Sequence, residues 1–258
     1  MNEPIVFDPY SILVDFYEQW AKPQQDDIPF YVKRATSVRG PVVELGVGTG
    51  RVAIPIARAG QDVIGVDASN AMLTEAARRA AMEGVADKIR FVDADMRTFV
   101  ADPAVELVII PFRGFLHLLT VEDQLSTLDA IRRSLVSGGR LVLNIFVPAP
   151  ELVVAQNSRR ISHGDFVDER GRRCEMWGVP EYDVTTQLLH LRIGLDVYEA
   201  ERLVDTTETG FDLRAIHRYE FEHLLIRAGF EIEALYGWFD ERPLEGDARE
   251  QIWVARKP

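Results

Sequence analysis

The sequence predicts a doubly wound α/β fold with a mostly parallel sheet, and three observations predict it. Between residues 41 and 147, apolar runs of strand length alternate with amphipathic stretches of helical period, the pattern of strand-helix-strand units whose strands run parallel. The first run, Val42-Val43-Glu44-Leu45, passes straight into Gly46-Val47-Gly48-Thr49-Gly50-Arg51, with glycine at every second position. Acids close successive predicted strands, and open sheets of this kind bind ligands beyond the carboxyl ends of their strands.

Composition sets the outer limits. The chain has 258 residues, 47% hydrophobic and 27% charged, enough for one large α/β domain or a domain carrying an insert. A lone cysteine, Cys174, excludes an internal disulfide framework, and no ligand cluster stands out among the five histidines, so no metal is expected. With 41 acids against 29 bases the net charge is -12, which repels polyphosphate backbones and makes nucleic acid a poor partner. No apolar run reaches the roughly 20 residues of a membrane helix, and Met1-Asn2-Glu3-Pro4 lacks a basic-then-apolar leader pattern. A cytoplasmic protein with no membrane partner is expected.

Residues 1–40 precede the first core strand and collect aromatic side chains: Phe7, Tyr10, Phe16, Tyr17, Trp20, Phe30 and Tyr31. Ile12, Leu13 and Phe16 lie at helical spacing and predict one short helix over residues 11–20. This helical segment either caps the sheet or closes as a lid over its ligand edge. In the turn that follows, Gly46, Gly48 and Gly50 take positive φ freely and let a ligand lie against bare backbone. A dinucleotide fingerprint would need a glycine at position 51, where Arg51 stands, which disfavours a nicotinamide-dependent oxidoreductase.

Glu44 followed by Gly46, Gly48 and Gly50 resembles the first motif of the class I S-adenosylmethionine-dependent methyltransferases. The resemblance covers residues 40–147 by ordered motifs and 217–257 by topology. It implies a Rossmann-like methyltransferase fold, with S-adenosyl-L-methionine as methyl donor and S-adenosyl-L-homocysteine as product. Residues 52–59 are predicted as a helix stopped by Gly60, and 62–67 as the second strand. Asp67 then stands where a carboxylate accepts hydrogen bonds from both ribose hydroxyls, and Ser69 caps a helix over 70–83. Residues 89–96 are predicted as the third strand. There the resemblance gives Asp95 the adenine amino group and the Met96 N–H a ring nitrogen, with Asp93 the rival position.

Residues 106–110 form the predicted fourth strand, which runs into Pro111-Phe112-Arg113-Gly114. Nucleic-acid base methyltransferases carry an Asn-Pro-Pro type motif here, and this chain departs from it. The segment is instead similar to the small-molecule branch, including aminosugar N-methyltransferases, in which a histidine follows the strand-four aromatic at the separation of Phe112 and His117. Thr120 to Asp123 resembles a capping box for the next helix, Ser137-Gly138-Gly139 is expected to stop that helix, and 140–147 is the fifth strand. In 148–216 the alternation breaks. Leu189, Leu191, Ile193, Leu195 and Val197 alternate with polar residues, and strand-like stretches near 160–168, 172–183 and 202–214 flank them, predicting an inserted antiparallel β-sheet. Such an insert either roofs the site or pairs two subunits in a homodimer. Helix 219–228 and strands 230–238 and 249–255 complete a pattern that resembles the seven-stranded methyltransferase sheet, whose last strand runs antiparallel between its neighbours. The expected organisation is a core of 41–147 and 217–258 with 148–216 inserted.

The cofactor residues expected from the resemblance are Glu44, Gly46, Val47, Gly48, Gly50 and Arg51 on the turn, then Asp67, Ala68, Met72, Asp95, Met96, Pro111 and Phe112. Tyr17, Trp20 and Tyr31 are the aromatic candidates for contact with the donor, because aromatic faces attract cations such as the sulfonium. For chemistry, His117 is the candidate base, Arg113 the candidate holder of an acceptor's carboxylate or phosphate, and Tyr17 a further pocket residue. A methyltransferase for an amine or hydroxyl of a small molecule is the expected function. The alternative is a non-catalytic binder of the same donor, acting in regulation or assembly.

Overall fold

The structure, a computed structural model, describes residues 8–21 and 25–258; Phe7 and the acidic start of the chain lie outside the described residues. Three helices come first: α1 (Tyr10–Leu13), α2 (Tyr17–Ala21) and α3 (Asp27–Ala35). The alternating region follows as β1 (Val42–Leu45), α4 (Ala53–Arg58), β2 (Val63–Asp67), α5 (Asn70–Met82), β3 (Ile89–Asp93), β4 (Val105–Ile110), α6 (Val121–Ser134) and β5 (Leu135–Phe146). After α7 (Pro150–Gln156) come β6 (Ile161–Val167), β7 (Arg173–Asp183), β8 (Leu188–Glu199) and β9 (Arg202–Arg214). The chain closes with α8 (Arg218–Arg227), β10 (Glu231–Tyr236) and β11 (Glu250–Arg256).

β10-β11-β5-β4-β1-β2-β3 is the order of the seven-stranded sheet, and β6 to β9 form a separate four-stranded antiparallel sheet. β1 to β5 run parallel, while β11 runs antiparallel between β5 and β10. The chain leaves β1 toward β2 and β3, then returns to β4 on the other side, so the boundary between β1 and β4 is the switch point where such sheets open a crevice. Apolar side chains fill both faces. Leu128, Ile131, Phe221 and Leu225 pack on one, and Tyr31, Ile54, Ile56 and Ala80 on the other. β11 shows the two-sided burial directly, with Trp253 in the first cluster and Ile252 and Val254 in the second.

Four expectations need correction. Residues 11–20 are two short helices, α1 and α2, separated by a turn in which Phe16 N–H donates to Leu13 O (3.0 Å). The break turns Leu13 and Phe16 inward onto Met72 and Ile193, a gain in burial that outweighs local helical preference. The third strand ends at Asp93, because Asp95 accepts the Arg97 N–H (2.8 Å) and turns the chain out of the ladder. Ser137-Gly138-Gly139 does not stop α6, which ends at Ser134; these residues lie within β5. Gly138 has φ 78°, and a Cβ on Gly139 would sit 2.9 Å from Val136 O, so the glycines serve an irregular stretch of strand. Finally, the insert opens with α7, which Pro150 starts at the first helical turn.

Gly194 shows how closely the second sheet is packed. It sits directly across from Trp177, and a Cβ there would lie 2.3 Å from the indole and 2.9 Å from Thr207 O. Gly194→Ala should therefore cost about 1–3 kcal/mol through overpacking. Urea denaturation checks this, and an unchanged midpoint would show that the indole has room to move.

Candidate active site

Gly46 and Gly48 leave β1 at φ 69° and 54°, a left-handed backbone that residues with a Cβ take only with strain. Gly46 and Val47 N–H both donate to Val66 O (2.8 and 3.0 Å), and Gly48 N–H donates to Asp67 Oδ2 (2.8 Å). Ser69 N–H donates to Asp67 Oδ1 (2.9 Å), while Ser69 Oγ accepts the Met72 N–H and caps α5. Asp67 is thus pinned beside the turn by two backbone amides; burial pushes its carboxyl upward against those bonds. A Cβ on Gly46 or Gly48 would meet only ordinary contacts, Met96 Cε at 3.6 Å and Tyr17 Oη at 3.8 Å. The demand for glycine lies in the backbone and not in crowding. Gly50, at φ 78°, shares that backbone demand, and its Cβ would in addition press on Ile54 at 3.2 Å, so it also serves the packing of the following helix. Val47 likewise turns inward, over Gly65.

Glu44 is 2% exposed, and its Oε2 has no hydrogen-bond partner among the described residues. Burial pushes its carboxyl well above the ordinary range, opposed by nearby Arg51. A buried acceptor of this kind suits an ammonium donor, and an acid pinned beside the turn suits a ribose. The residues present therefore fit S-adenosylmethionine.

Side chains from the N-terminal helices cover the turn. Tyr17 places its hydroxyl over Gly48 and its ring edge-on to Phe112, with centroids 6.3 Å apart. Arg51 lies over the Phe112 ring (4.6 Å) and forms a forked pair with Asp27 of α3, itself 3% exposed. Glu18 of α2 accepts from Thr49 Oγ1 and from Arg79 of α5. Asp8 accepts from Ser69 Oγ (2.5 Å) and from Tyr10 N–H (2.9 Å). Asp8, Glu18 and Asp27 were not foreseen as contacts of this edge. For Asp27 a signal existed: Asp26-Asp27-Ile28-Pro29 reads as acids and a proline opening a helix.

The β4 exit forms the other wall. Phe112 and Arg113 are consecutive left-handed residues, φ 51° and 65°, a conformation costing roughly 1–3 kcal/mol per non-glycine residue. Arg113 does not reach into the site; its guanidinium is paired with Glu250 of β11. A short 3-10 turn, Gly114–His117, then carries His117. Its Nε2 lies 2.8 Å from the Tyr10 hydroxyl, and its ring 5.3 Å from that of Phe211 on β9. Burial pushes the His117 imidazole down to about 4 and the Tyr10 phenol well up, so both are neutral at pH 7.

The remaining expected residues are dispersed. Arg97 Nε donates to Asp95 (2.9 Å) and holds its carboxyl below the usual range, and Arg97 also donates to Asp123 (2.9 Å). Asn70 Nδ2 donates to Asp93 Oδ2 at 3.5 Å. Ala68 is exposed beside Asp67, Met72 is buried under α1, and Pro111 is buried at the β4 end. Trp20 packs on His163 of β6 (4.3 Å), and Tyr31 is fully buried, donating to Asn144 Oδ1 (2.9 Å); neither lies over the turn.

Residues 42–139, which hold the glycine turn, the strand-end acids and His117, match the family described as a methyltransferase domain. The sheet order and this match give the chain a methyltransferase domain with the fold of S-adenosylmethionine-dependent methyltransferases. Solved methyltransferases share this fold. The CcbJ methyltransferase from Streptomyces caelestis is 22% identical with a TM-score of 0.84, over 97% of this chain and 99% of that one. CalS10, an amino pentose methyltransferase from Micromonospora echinaspora solved with S-adenosylmethionine bound, is 20% identical with a TM-score of 0.72 over 100% of both chains. YqeM of Bacillus subtilis, assigned to the methyltransferases, is 27% identical over 246 residues, 93% of this chain and 90% of its own length.

The His117 imidazole couples this site to acid stability. Its folded value of about 4 lies below the ordinary 6.5, so between these values the unfolded chain binds more protons than the folded one. Stability is full above pH 6.5 and falls as pH drops toward 4, by on the order of 3 kcal/mol in total. His117→Gln should flatten this part of the pH profile in denaturant titrations at pH 7.5 and 4.5; an identical slope in both proteins would show that the imidazole is not held neutral.

Proposed function

We propose that this chain transfers a methyl group from S-adenosylmethionine to an amine nitrogen of a small molecule. The observation that carries the reading is the neutral Tyr10–His117 pair, enclosed with Phe211 at the edge where the glycine turn and β4 meet. The charges around it argue for an amine. Asp67 and Asp8 act electrostatically on Tyr10, while Arg113 is committed to Glu250 and Arg51 to Asp27. A carboxylate or phosphate on the acceptor would meet these acids with the nearby cations already engaged; an amine meets acids and aromatic faces, both favourable to nitrogen carrying partial positive charge. CalS10, with an amino pentose as its named substrate class, is consistent with this choice. The net charge of -12 supports a small molecule over a nucleic acid.

When bound, S-adenosylmethionine supplies an electrophilic methyl carbon, which the amine takes with its lone pair as the thioether departs. In this reading Glu44 and Asp67 hold the donor's ammonium and ribose, and Phe112 and Tyr17 wall the space beside it. An imidazole near 4 is a poor proton acceptor for an ammonium at pH 7, so His117 serves with Tyr10 to orient a neutral amine through hydrogen bonds, and the proton leaves after transfer. The N-terminal helices act as a lid, held by Glu18 and Asp27 on the core side. Thr209 Oγ1 donates to Pro9 O (3.1 Å) and Phe211 stacks on Tyr10, contacts that favour the inserted sheet as a roof over a role as subunit interface.

Methyl-labelled S-adenosylmethionine should transfer label to members of a panel of primary and secondary amines, amino sugars included, and not to the matching alcohols. Transfer to alcohols alone would end the amine reading. Asp67→Ala should weaken donor binding by about 1.5–3 kcal/mol, the value of one charge-assisted hydrogen bond, as read by calorimetry. His117→Ala should slow turnover with donor affinity retained, and equal loss of both would make His117 structural.

A further inference from the structure

The contacts around the β4 exit close into a ring. From α3, Asp27 pairs with Arg51, whose guanidinium lies over Phe112. Arg113, the next residue, pairs with Glu250 of β11. Glu250 also accepts from Asn144 Nδ2 of β5 (2.9 Å), and Asn144 Oδ1 accepts from Tyr31 Oη, back on α3 (2.9 Å). Glu250, Asn144 and Tyr31 are buried, at 2%, 3% and 0% exposure. None of the three lies over the glycine turn, yet each is bound into a chain that ends on the turn's neighbours. The two residues at the centre of the ring, Phe112 and Arg113, are the ones held left-handed.

A left-handed pair without glycine persists only when its surroundings over-determine it. Pro111 O accepts the Gly114 N–H (3.1 Å), but that bond spans the pair and leaves the side chains to fix its direction. Phe112 points to Arg51 and Tyr17, and Arg113 points the opposite way, to β11. With one end anchored on Glu250 and the other on Arg51, the turn cannot relax to an ordinary backbone without giving up one anchor. We propose that Glu250 is a positioning residue for the donor site: its buried carboxylate holds Arg113 and so keeps Phe112 against the glycine turn. It acts through Arg113 and touches neither donor nor acceptor. The inference rests on donor binding at the glycine turn and on nothing about the acceptor.

S-adenosylhomocysteine is the probe, its affinity read by calorimetry on the full chain, with thermal unfolding as the check on folding. Glu250→Gln keeps the shape of the side chain and removes the charge that holds Arg113; its affinity should fall about tenfold. Arg113→Gly in the same chain removes the need for an anchor, because glycine takes φ 65° without a steric cost. The double variant Arg113→Gly/Glu250→Gln should therefore recover affinity to within about threefold of the unaltered protein, a rescue that general destabilisation would not produce. Unchanged affinity in Glu250→Gln overturns the proposal, and so does a double variant as weak as the single. If Glu250→Gln does not fold, the double variant decides alone: near-native affinity supports the anchoring role and weak affinity refutes it. Failure of the unaltered protein to bind the probe would remove the donor site itself, and this inference with it.

Discussion

The left-handed backbone after β1 is the constraint on which the site depends. With Gly46 and Gly48 in that conformation, the chain turns sharply enough for the Gly48 N–H to reach Asp67 at the end of β2. One hydrogen bond thus ties together two strand ends that carry acids, and Ser69 adds a second tie while capping α5. Glu44 remains buried behind the turn with an unmet acceptor. A side chain at either glycine would shift the register of all three groups at once, since each takes its position from the same few peptide units.

Around this rigid centre the enclosure is built from distant parts of the chain. α2 and α3 bring Tyr17, Glu18 and Asp27, the β4 exit brings Phe112, and β9 brings Phe211. Acidic side chains of the N-terminal helices meet Arg79 and Arg51 of the core. The Asp27–Arg51 pair is nearly dry, and removing one partner of such a pair leaves a buried charge at a cost of about 3–5 kcal/mol. Glu18 and Arg79 are more exposed and hold less firmly. The cover is therefore fixed at α3 and looser at α2.

What the sequence made legible followed the range of the interactions involved. Glu44, the glycines, Asp67 and the Ser69 cap act within a few residues or at adjacent strand ends, and their spacing survives in the linear chain. Strand alternation in β8 was equally plain, because Leu189, Leu191, Ile193, Leu195 and Val197 share one face and are all buried or partly buried. Arg113 shows the limit: its residue type suggested an acceptor's anion, but its partner, Glu250, lies far along the chain and meets it only after β11 inserts beside β5. Tyr31 and Trp20 are aromatic residues near the site in sequence whose burial is decided by Asn144 and by the second sheet. The single helix expected over 11–20 broke for the same reason, since Met72 and Ile193 supply a burial that local periodicity does not contain.

The placement of β11 has a consequence for how the molecule is made. The strand that supplies Glu250 follows the other six strands of its sheet in the chain, and it lodges inside that sheet, between β5 and β10, both made before it. Until then the parallel strands β1 to β5 form a sheet with an open margin, and the bend after β4 has no counterion to settle on. A nascent chain that carries the glycine turn and Asp67 but not yet β11 would thus have this edge still loosely shaped.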